Sequence, residues 1–154
     1  MQTSKNIVAN KLCRLSSFLH NASREFDNVA KLIKDKKIRM SIRSVALKTT
    51  QYKHELNSQL SMLKVNCVLR YNNEERRSKN VVNKNISDKK IVEQCCNSEE
   101  FFSRAYKSIL NEYFPFKPLR DMLRYQFTGM QVSFRELNLL NSVMTPQVPA
   151  EVLL

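Results

Sequence analysis

The sequence has few of the residues that shape tight turns: among its 154 residues are one glycine, Gly129, four prolines and no tryptophan. All-β folds need many tight turns, in which glycine and proline are enriched, so this composition argues against them. A single glycine also excludes a glycine-rich phosphate loop and a nucleophile elbow, whose motifs each need two. The scarcity of turn residues therefore predicts long helices with few connections.

Long apolar runs are missing as well. No stretch approaches the ~20 apolar residues of a membrane-spanning helix, and residues 1–11 lack the basic start and apolar run of a signal peptide. We therefore expect a cytoplasmic protein with no membrane span. With 42% hydrophobic and 26% charged residues, the composition is that of one ordinary globular domain.

The cysteines show no CxxC spacing, which excludes a zinc ribbon. They are Cys13, Cys67, Cys95 and Cys96. Neighbours on a helix point about 100° apart, so Cys95 and Cys96 are poorly placed to bridge each other or to clamp one ion. We interpret all four as buried or half-buried free thiols, with a redox role for the Cys95–Cys96 pair as the alternative.

Two stripes of apolar residues in the first half recur at intervals of three and four, the spacing of one face of a helix. The first comprises Val8, Leu12, Leu15, Leu19, Ala22, Phe26, Val29 and Ile33. The second comprises Ile38, Ile42, Val45, Thr49, Tyr52, Leu56, Leu60 and Leu63. Only the charged run Asp35-Lys36-Lys37 separates them, so they predict two long antiparallel helices joined by a tight turn.

The second half predicts another pair of helices. Residues 70–84 are polar and charged, which is typical of a long exposed connection, and Ser87-Asp88 then offers an N-cap. The third helix carries Ile91, Cys95, Phe102, Ala105 and Ile109, and we expect a break near Asn97-Ser98. The fourth carries Leu119, Leu123, Phe127, Met130, Phe134, Leu137 and Leu140.

Prolines mark the ends of these helices. Pro115 ends the third helix, Pro118 suits the first turn of the fourth, and Thr145-Pro146 stops it. The predicted organisation is one domain over residues 1–144, with hairpins at about 5–64 and about 88–143, a crossover at about 65–87 and a tail at 145–154. The fold class is therefore all-α, a ferritin-like antiparallel four-helix bundle with one long crossover connection.

Several short runs in both hairpins carry a likeness to a known family. In the first hairpin they are Leu12-Cys13-Arg14-Leu15, Phe26 and His54-Glu55-Leu56. In the second they are Glu93-Gln94-Cys95-Cys96-Asn97-Ser98-Glu99-Glu100, Ala105-Tyr106 and Gln126-Phe127 with the run to Leu137. These runs resemble a bacterial ferritin-like family of unknown function. What the resemblance implies is a fold, because the family has no agreed activity.

The motifs of a di-iron centre are missing. Such a centre needs a Glu from each of two helices and a Glu-x-x-His from each of the other two. The nearest runs are Gln51-Tyr52-Lys53-His54, where an amide replaces a carboxylate, and Gln131-Val132-Ser133-Phe134, where both ligands are missing. Phe134 lies on the apolar stripe, so hydrocarbon fills the place of an imidazole, and we expect no cofactor and no normal di-iron site.

A weaker metal site is the alternative. Its candidate ligands are His54 and Glu55 on the second helix, His20 or Glu25 on the first and Glu99 on the third. Charged positions beside an apolar stripe are usually solvated, and one imidazole per helix gives no facial triad, so we expect no metal. Tyr52 is interpreted as a core ring whose hydroxyl is hydrogen-bonded.

The charge of +12 is the strongest positive feature, because its field attracts polyanions. The candidate contacts are Lys36, Lys37, Arg39 and Arg43 around the first turn and Arg76 and Arg77 in the connection. Basic residues around the first turn and those from Arg70 to Lys90 are expected at opposite ends of the bundle. No helix-turn-helix, finger or aromatic RNA-binding signature accompanies them, so only non-specific nucleic-acid binding is an alternative.

These observations favour a structural or protein-interaction module rather than an enzyme. The partner would be another protein or a second copy, bound for instance through the apolar tail residues Val152, Leu153 and Leu154. Polyanion binding and a degenerate metal site are the two alternatives.

Overall fold

A computed structural model describes residues 4–67 and 86–144, with side chains from residue 6 onward. The helices are α1 (Ser4–Ala30), α2 (Lys36–Met62), α3 (Asp88–Asn97), α4 (Glu99–Leu110) and α5 (Lys117–Val143). Only Ser98 separates α3 from α4, and its backbone is itself helical, so α3 and α4 form one column. Four helical columns pack around one hydrophobic core, which confirms the predicted all-α class.

The first hairpin follows from its two stripes and one cap. All the stripe residues are buried except Val29 and Leu63, which are partly buried against the core. The Asp35 carboxylate is the N-cap of α2 and accepts hydrogen bonds from the backbone N–H groups of Lys37 at 2.8 Å and Ile38 at 3.2 Å. These bonds satisfy two of the four N–H groups that a helix start leaves unpaired.

A row of polar pairs joins α1 to α2. The pairs are Ser16 with Asn57, His20 with Lys53, and Ser23 with Thr50. Residue numbers rise along α1 as they fall along α2, so the two helices are antiparallel, as predicted.

The third column begins and breaks where the sequence predicts. The Ser87 hydroxyl accepts a hydrogen bond from the Lys90 N–H at 3.3 Å, which confirms the N-cap. The predicted break near Asn97-Ser98 is the junction of α3 and α4. Tyr106 is fully buried whereas Ala105 is only half-buried, so the core position of α4 lies one residue later than its stripe predicted.

Contacts at both ends fix the direction of this column. The Asp88 carboxylate accepts hydrogen bonds from the backbone N–H groups of Lys34 and Asp35, each at 2.9 Å, so α3 begins beside the α1–α2 turn. At the other end, Lys11 Nζ near the start of α1 lies 2.5 Å from Glu112 Oε1 just after α4. The third column is therefore antiparallel to α1.

The fourth column, α5, has Pro118 in its first turn and ends at Val143, as the sequence predicts. Its direction is opposite to that of the third column, because Lys89 in α3 donates hydrogen bonds to Asn141 near the end of α5. The predicted tail at 145–154 and the predicted exposed connection at 70–84 lie outside the described residues. None of the described helices is long and apolar enough to cross a membrane.

The single glycine has a packing reason. A Cβ atom on Gly129 would lie 1.9 Å from the Tyr52 hydroxyl oxygen, far inside van der Waals contact. Gly129 therefore makes room for the buried Tyr52 side chain between α2 and α5.

Candidate functional site

A hydrogen-bonded polar group lies in the middle of the bundle. Gln126 on α5 is fully buried, and its amide nitrogen donates to the Tyr52 backbone carbonyl at 3.2 Å and to Glu55 Oε1 at 3.1 Å. Its amide oxygen accepts from the Tyr106 hydroxyl at 2.9 Å. The other Glu55 oxygen accepts from the Gln51 amide at 3.4 Å. We call Tyr106, Gln126 and Glu55 the polar centre.

Burial determines the protonation of this polar centre. It raises the pKa of the Tyr106 phenol well above 10.0, with smaller contributions from Tyr52 and Glu55. The pKa of Tyr52 is raised too, first by burial and then by the neighbouring Tyr125 and Glu55. Both phenols therefore stay protonated at neutral pH and serve as neutral hydrogen-bonding groups.

The candidate metal ligands are spread over the bundle. Glu55 belongs to the polar centre, whereas His54 is exposed on the outside of α2. His20 is half-buried, with Nδ1 3.4 Å from Lys53 Nζ. Glu25 is exposed on α1, and Glu99 is half-buried in the first turn of α4. Within residues 4–67 and 86–144, no three His, Cys, Asp or Glu side chains are grouped so that they could hold a metal ion.

Phe134 occupies the position where a di-iron protein would carry a histidine ligand, and it packs against other aromatic rings. Phe134 is buried, and its ring centroid lies 5.1 Å from that of Phe102 and 6.2 Å from that of Phe26. These rings come from α5, α4 and α1, so an aromatic cluster fills the core beside the polar centre.

The interpretation of all four cysteines as free thiols is wrong for two of them. Cys13 on α1 and Cys67 after α2 form a disulfide, with their Cα atoms 5.3 Å apart. The antiparallel hairpin brings the start of α1 close to the end of α2. The two cysteines are 54 residues apart in the sequence, so their spacing alone does not indicate that they pair. Disulfides persist mainly in oxidising compartments, so the cytoplasmic location stays a prediction that this pair does not favour.

Cys95 and Cys96 are free, as predicted. Cys95 is buried, and burial raises the pKa of its thiol to about 12. The pKa of Cys96 is also raised, by burial and then by Glu99 and Glu93. Thiolates are the reactive form of cysteine, so both thiols are in environments that suppress redox chemistry.

Basic side chains gather where α1 meets α2 and α3 begins. Lys36, Lys37 and Arg43 are exposed there, and the Arg39 guanidinium donates to the backbone carbonyls of residues 33 and 34. Because Asp88 bonds to the α1–α2 turn, Lys90 at the start of α3 lies at this same end. The expected separation of the two basic groups is therefore wrong for Lys90, while Arg76 and Arg77 lie outside the described residues.

Five large exposed apolar side chains lie on α2 and α5, two helices that pack against each other. They are Met40 and Leu47 on α2, with exposed fractions of 61% and 70%, and Tyr125, Val132 and Leu139 on α5, with 68%, 39% and 62%. We call these five residues the outer face. On α4 the corresponding exposed large side chain is Phe101, at 57%.

An apolar cavity of about 390 Å³ lies at the end of the bundle where α1 and α5 begin. Its side chains include Val8, Leu12, Phe114 and Leu119, and its one side-chain polar group is the phenol of Tyr113. Such a lining offers apolar contact, and it brings no acid–base pair to a substrate.

No protein-family model, curated protein or solved structure matches this chain. The resemblance to a ferritin-like family therefore stays a prediction from the sequence pattern.

Sequence reasoning named Glu55 only as a candidate metal ligand, and it missed the buried Gln126 and the outer face. The stripe of α5 allows either Gln126 or Phe127 between Leu123 and Met130, and the apolar residue is the natural choice. A polar residue in register with a core stripe is the signal that would have identified Gln126. The outer face carries a signal too, because Tyr125, Val132 and Leu139 are seven residues apart.

Proposed function

We propose that the protein is a ferritin-like four-helix bundle that serves as a protein-interaction module without enzymatic activity. The ferritin-like topology is supported by the ends of α2 and α3. Cys67 after α2 lies beside Cys13, whereas Asp88 lies at the opposite end beside Lys34 and Asp35. The end of α2 and the start of α3 therefore lie at opposite ends of the bundle, as in folds with one crossover connection.

A role outside the bundle centre is supported by how that centre is occupied. Both amide protons of Gln126 are used by oxygens, and both oxygens of Glu55 accept from amides. Next to this centre, the Phe134 ring packs against the rings of Phe26 and Phe102. A degenerate metal site has no observation in its favour among the described residues, because no three candidate ligands are grouped there and the half-buried Glu55 carboxylate is already hydrogen-bonded.

The outer face is the observation that carries the proposal. Scattered exposed hydrophobic residues are normal, but a row that recurs at seven-residue intervals along one helix, as Tyr125, Val132 and Leu139 do on α5, is typical of a helix contact surface. In the outer face, five large apolar side chains lie on neighbouring helices, each exposed by more than a third. Covering their exposed area with a partner would contribute ~25 cal/mol for each Å² of apolar surface removed from water.

Site-directed photo-crosslinking in cells tests this proposal. A photoreactive amino acid replaces Val132 in the outer face or, as a control, exposed Lys107 on α4. We expect discrete cross-linked bands from position 132 and none from position 107. Bands from position 107 alone, or none from either position, would contradict an interaction function of the outer face.

The basic end of the bundle supports a second candidate function, non-specific binding of polyanions. Lys36, Lys37 and Lys90 are exposed on adjacent helix starts, and the chain carries a net charge of +12. Binding through such contacts weakens steeply with salt, because each neutralised phosphate releases counterions.

Charge reversal distinguishes specific use of this end from a general effect of charge. We compare Lys36→Glu/Lys37→Glu with Lys107→Glu/Arg124→Glu, which lowers the net charge equally on exposed positions elsewhere. Polyanion binding predicts that only the first pair flattens the salt dependence of the affinity for a short DNA duplex. An equal effect of both pairs would leave only a general attraction and overturn this candidate.

A further inference from the structure

The apolar cavity at the start of α1 and α5 has a floor in the core and a rim that is open to solvent. Its volume of about 390 Å³ lies within the ~300–1,000 Å³ that is usual for small-molecule sites. The floor consists of four buried side chains: Val8, Leu12, Phe114 and Leu119. The rim includes Tyr113 and Phe116, which are 85% and 39% exposed. A ligand can therefore enter from solvent and cover apolar surface of the core.

A Schellman motif at the end of α2 builds one wall of this cavity. The Val65 N–H donates to the Leu60 carbonyl at 2.9 Å, and the Lys64 N–H donates to the Ser61 carbonyl at 3.1 Å. The chain therefore turns back after the helix, and Leu63 and Val65 both line the cavity. These hydrogen bonds give the wall a defined shape without a ligand.

The disulfide holds the same wall against α1. Cys67 lies two residues after Val65, and its partner Cys13 directly follows Leu12, so each cysteine is close in the sequence to a residue that lines the cavity. A site that is already formed binds more tightly, because less conformational entropy is lost on binding. The cavity therefore has the preformed walls that are typical of a small-molecule site.

Lys64 brings a positive charge to the edge of the wall. Its side chain is exposed, it stands between two residues that line the cavity, and no described carboxylate pairs with its ammonium. Neighbouring charges are engaged elsewhere. Lys11 pairs with Glu112, and the Arg120 guanidinium donates to the carbonyls of Leu110 and Glu112, each at 2.9 Å.

Two further charged residues near the start of α5 lie away from the cavity. Lys117 and Asp121 are each two residues from Leu119, which places them about 160° around the helix from the residue that lines the cavity. The start of α5 itself adds to the positive field, because no side chain caps it and its N-cap residue, Phe116, lines the cavity. The rim is therefore positive next to an apolar floor.

The backbone at Lys64 is of a kind that usually belongs to glycine. Its φ of 58° lies in the left-handed region, and glycine is the common residue at this position of a Schellman motif. A lysine there gives the wall a cation that glycine would not supply.

We propose that this cavity binds one single-chain amphiphile with an anionic head, such as a long-chain carboxylate. Its hydrocarbon chain lies on the apolar floor, and its carboxylate lies beside Lys64. The lining accounts for the apolar chain, and the positive rim favours a negative head over a neutral one. The cavity shares no residue with the outer face, so this inference goes beyond the proposed interaction function and does not depend on it.

Isothermal titration calorimetry with dodecanoate tests this site on the full oxidised chain, at concentrations below those at which the ligand forms micelles. We expect one saturable site per chain, with a higher affinity for dodecanoate than for the neutral dodecanol. Decanoate is two methylene groups shorter and should bind about 15-fold more weakly, because less apolar surface is buried.

Two variants separate the floor from the rim. Ala9 lines the cavity on α1 and is half-buried, so Ala9→Phe should fill the cavity and abolish binding of both ligands. Lys64→Gly suits the left-handed backbone and should not lower the melting temperature. It should weaken dodecanoate binding ~2- to 5-fold and leave dodecanol binding unchanged. Lys107→Gln removes the same charge from exposed α4 and should leave both affinities unchanged.

The site would be overturned by a wild-type protein with no saturable binding of dodecanoate, or by binding that a folded Ala9→Phe leaves unchanged. Equal weakening by Lys64→Gly and Lys107→Gln, or equal affinities of the wild type for dodecanoate and dodecanol, would overturn an anionic ligand. Neither result affects photo-crosslinking from position 132, which tests the outer face separately.

Discussion

Gln126 connects three columns of the bundle through one side chain. Its amide contacts α2 through Tyr52 and Glu55 and α4 through Tyr106. We predict that Gln126→Leu destabilises the fold by ~2–4 kcal/mol, because it leaves the Tyr106 hydroxyl and one Glu55 oxygen without this partner. Urea unfolding followed by circular dichroism measures the change.

A double-mutant cycle separates this loss from a change in packing. Tyr106→Phe removes the stranded hydroxyl, so Gln126→Leu/Tyr106→Phe should be less destabilised than the sum of its two single variants. Strict additivity would show that the hydrogen bond between these residues contributes little to stability.

The raised pKa of Tyr106 predicts a loss of stability at alkaline pH. A phenol whose pKa is higher in the folded protein holds its proton more tightly there. Its contribution to the free energy of unfolding is therefore complete below pH ~10 and declines as the pH rises above that value. The decline is at most ~1.4 kcal/mol per pH unit for one group. The free energy of unfolding, measured from about pH 8 to about pH 11, should fall less steeply for Tyr106→Phe.

Cys95 titrates in the same range, since the pKa of its thiol is raised from 9.0 to about 12. Both proteins in this comparison should therefore carry Cys95→Ala. Identical slopes with and without the Tyr106 hydroxyl would contradict its burial as a neutral phenol.

Gly129 offers a test of the packing between α2 and α5. Gly129→Ala should destabilise the protein by ~1–3 kcal/mol, because the added methyl group meets the Tyr52 hydroxyl. Thermal unfolding should show partial rescue in Gly129→Ala/Tyr52→Phe, which removes that oxygen. A variant as stable as the wild type would place Tyr52 elsewhere.

At the scale of the helices, most of the fold was predictable from the sequence. The stripes of α1 and α2 give both helices, and Asp35 and Ser87 mark two of the starts. Periodicity works there because each helix buries one face. It fails at Tyr106 and Gln126, where the apolar pattern selects the neighbours Ala105 and Phe127 as the core residues. Hydrogen bonds between the columns make it favourable to bury the polar side chains there instead.

We predict that reduction of the Cys13–Cys67 disulfide, which closes the first hairpin, lowers the free energy of unfolding strongly. Closing a loop of this length is worth ~4 kcal/mol through the entropy of the unfolded chain. Cys13→Ala/Cys67→Ala should therefore lower the free energy of unfolding by about that amount and remove its dependence on reductant. Cys96 is a half-buried free thiol, so Cys96→Ala is the matched control, and its stability should still depend on reductant. A wild-type protein indifferent to reductant would contradict the bond.

At the scale of the whole molecule, sequence reasoning placed the helices and missed the surface between two of them. Which face of α5 meets α2 depends on contacts such as that of Lys48 with Ser133, between residues far apart in the chain. The exposed row at Tyr125, Val132 and Leu139 lies near α2 only in the folded bundle, where Met40 lines one groove with Glu136 and Leu137. The proposed function therefore belongs to the assembled bundle rather than to any one helix.

The proposed function of this protein lies on the outer face, and hydroxyl-radical footprinting tests that proposal most directly. Oxidation of each side chain is compared between living cells and dilute purified protein. We predict that Met40, Leu47 and Tyr125 become markedly protected in cells, while exposed Phe101 is oxidised equally in both. Equal oxidation of all these residues in both settings, or protection confined to Phe101, would contradict it.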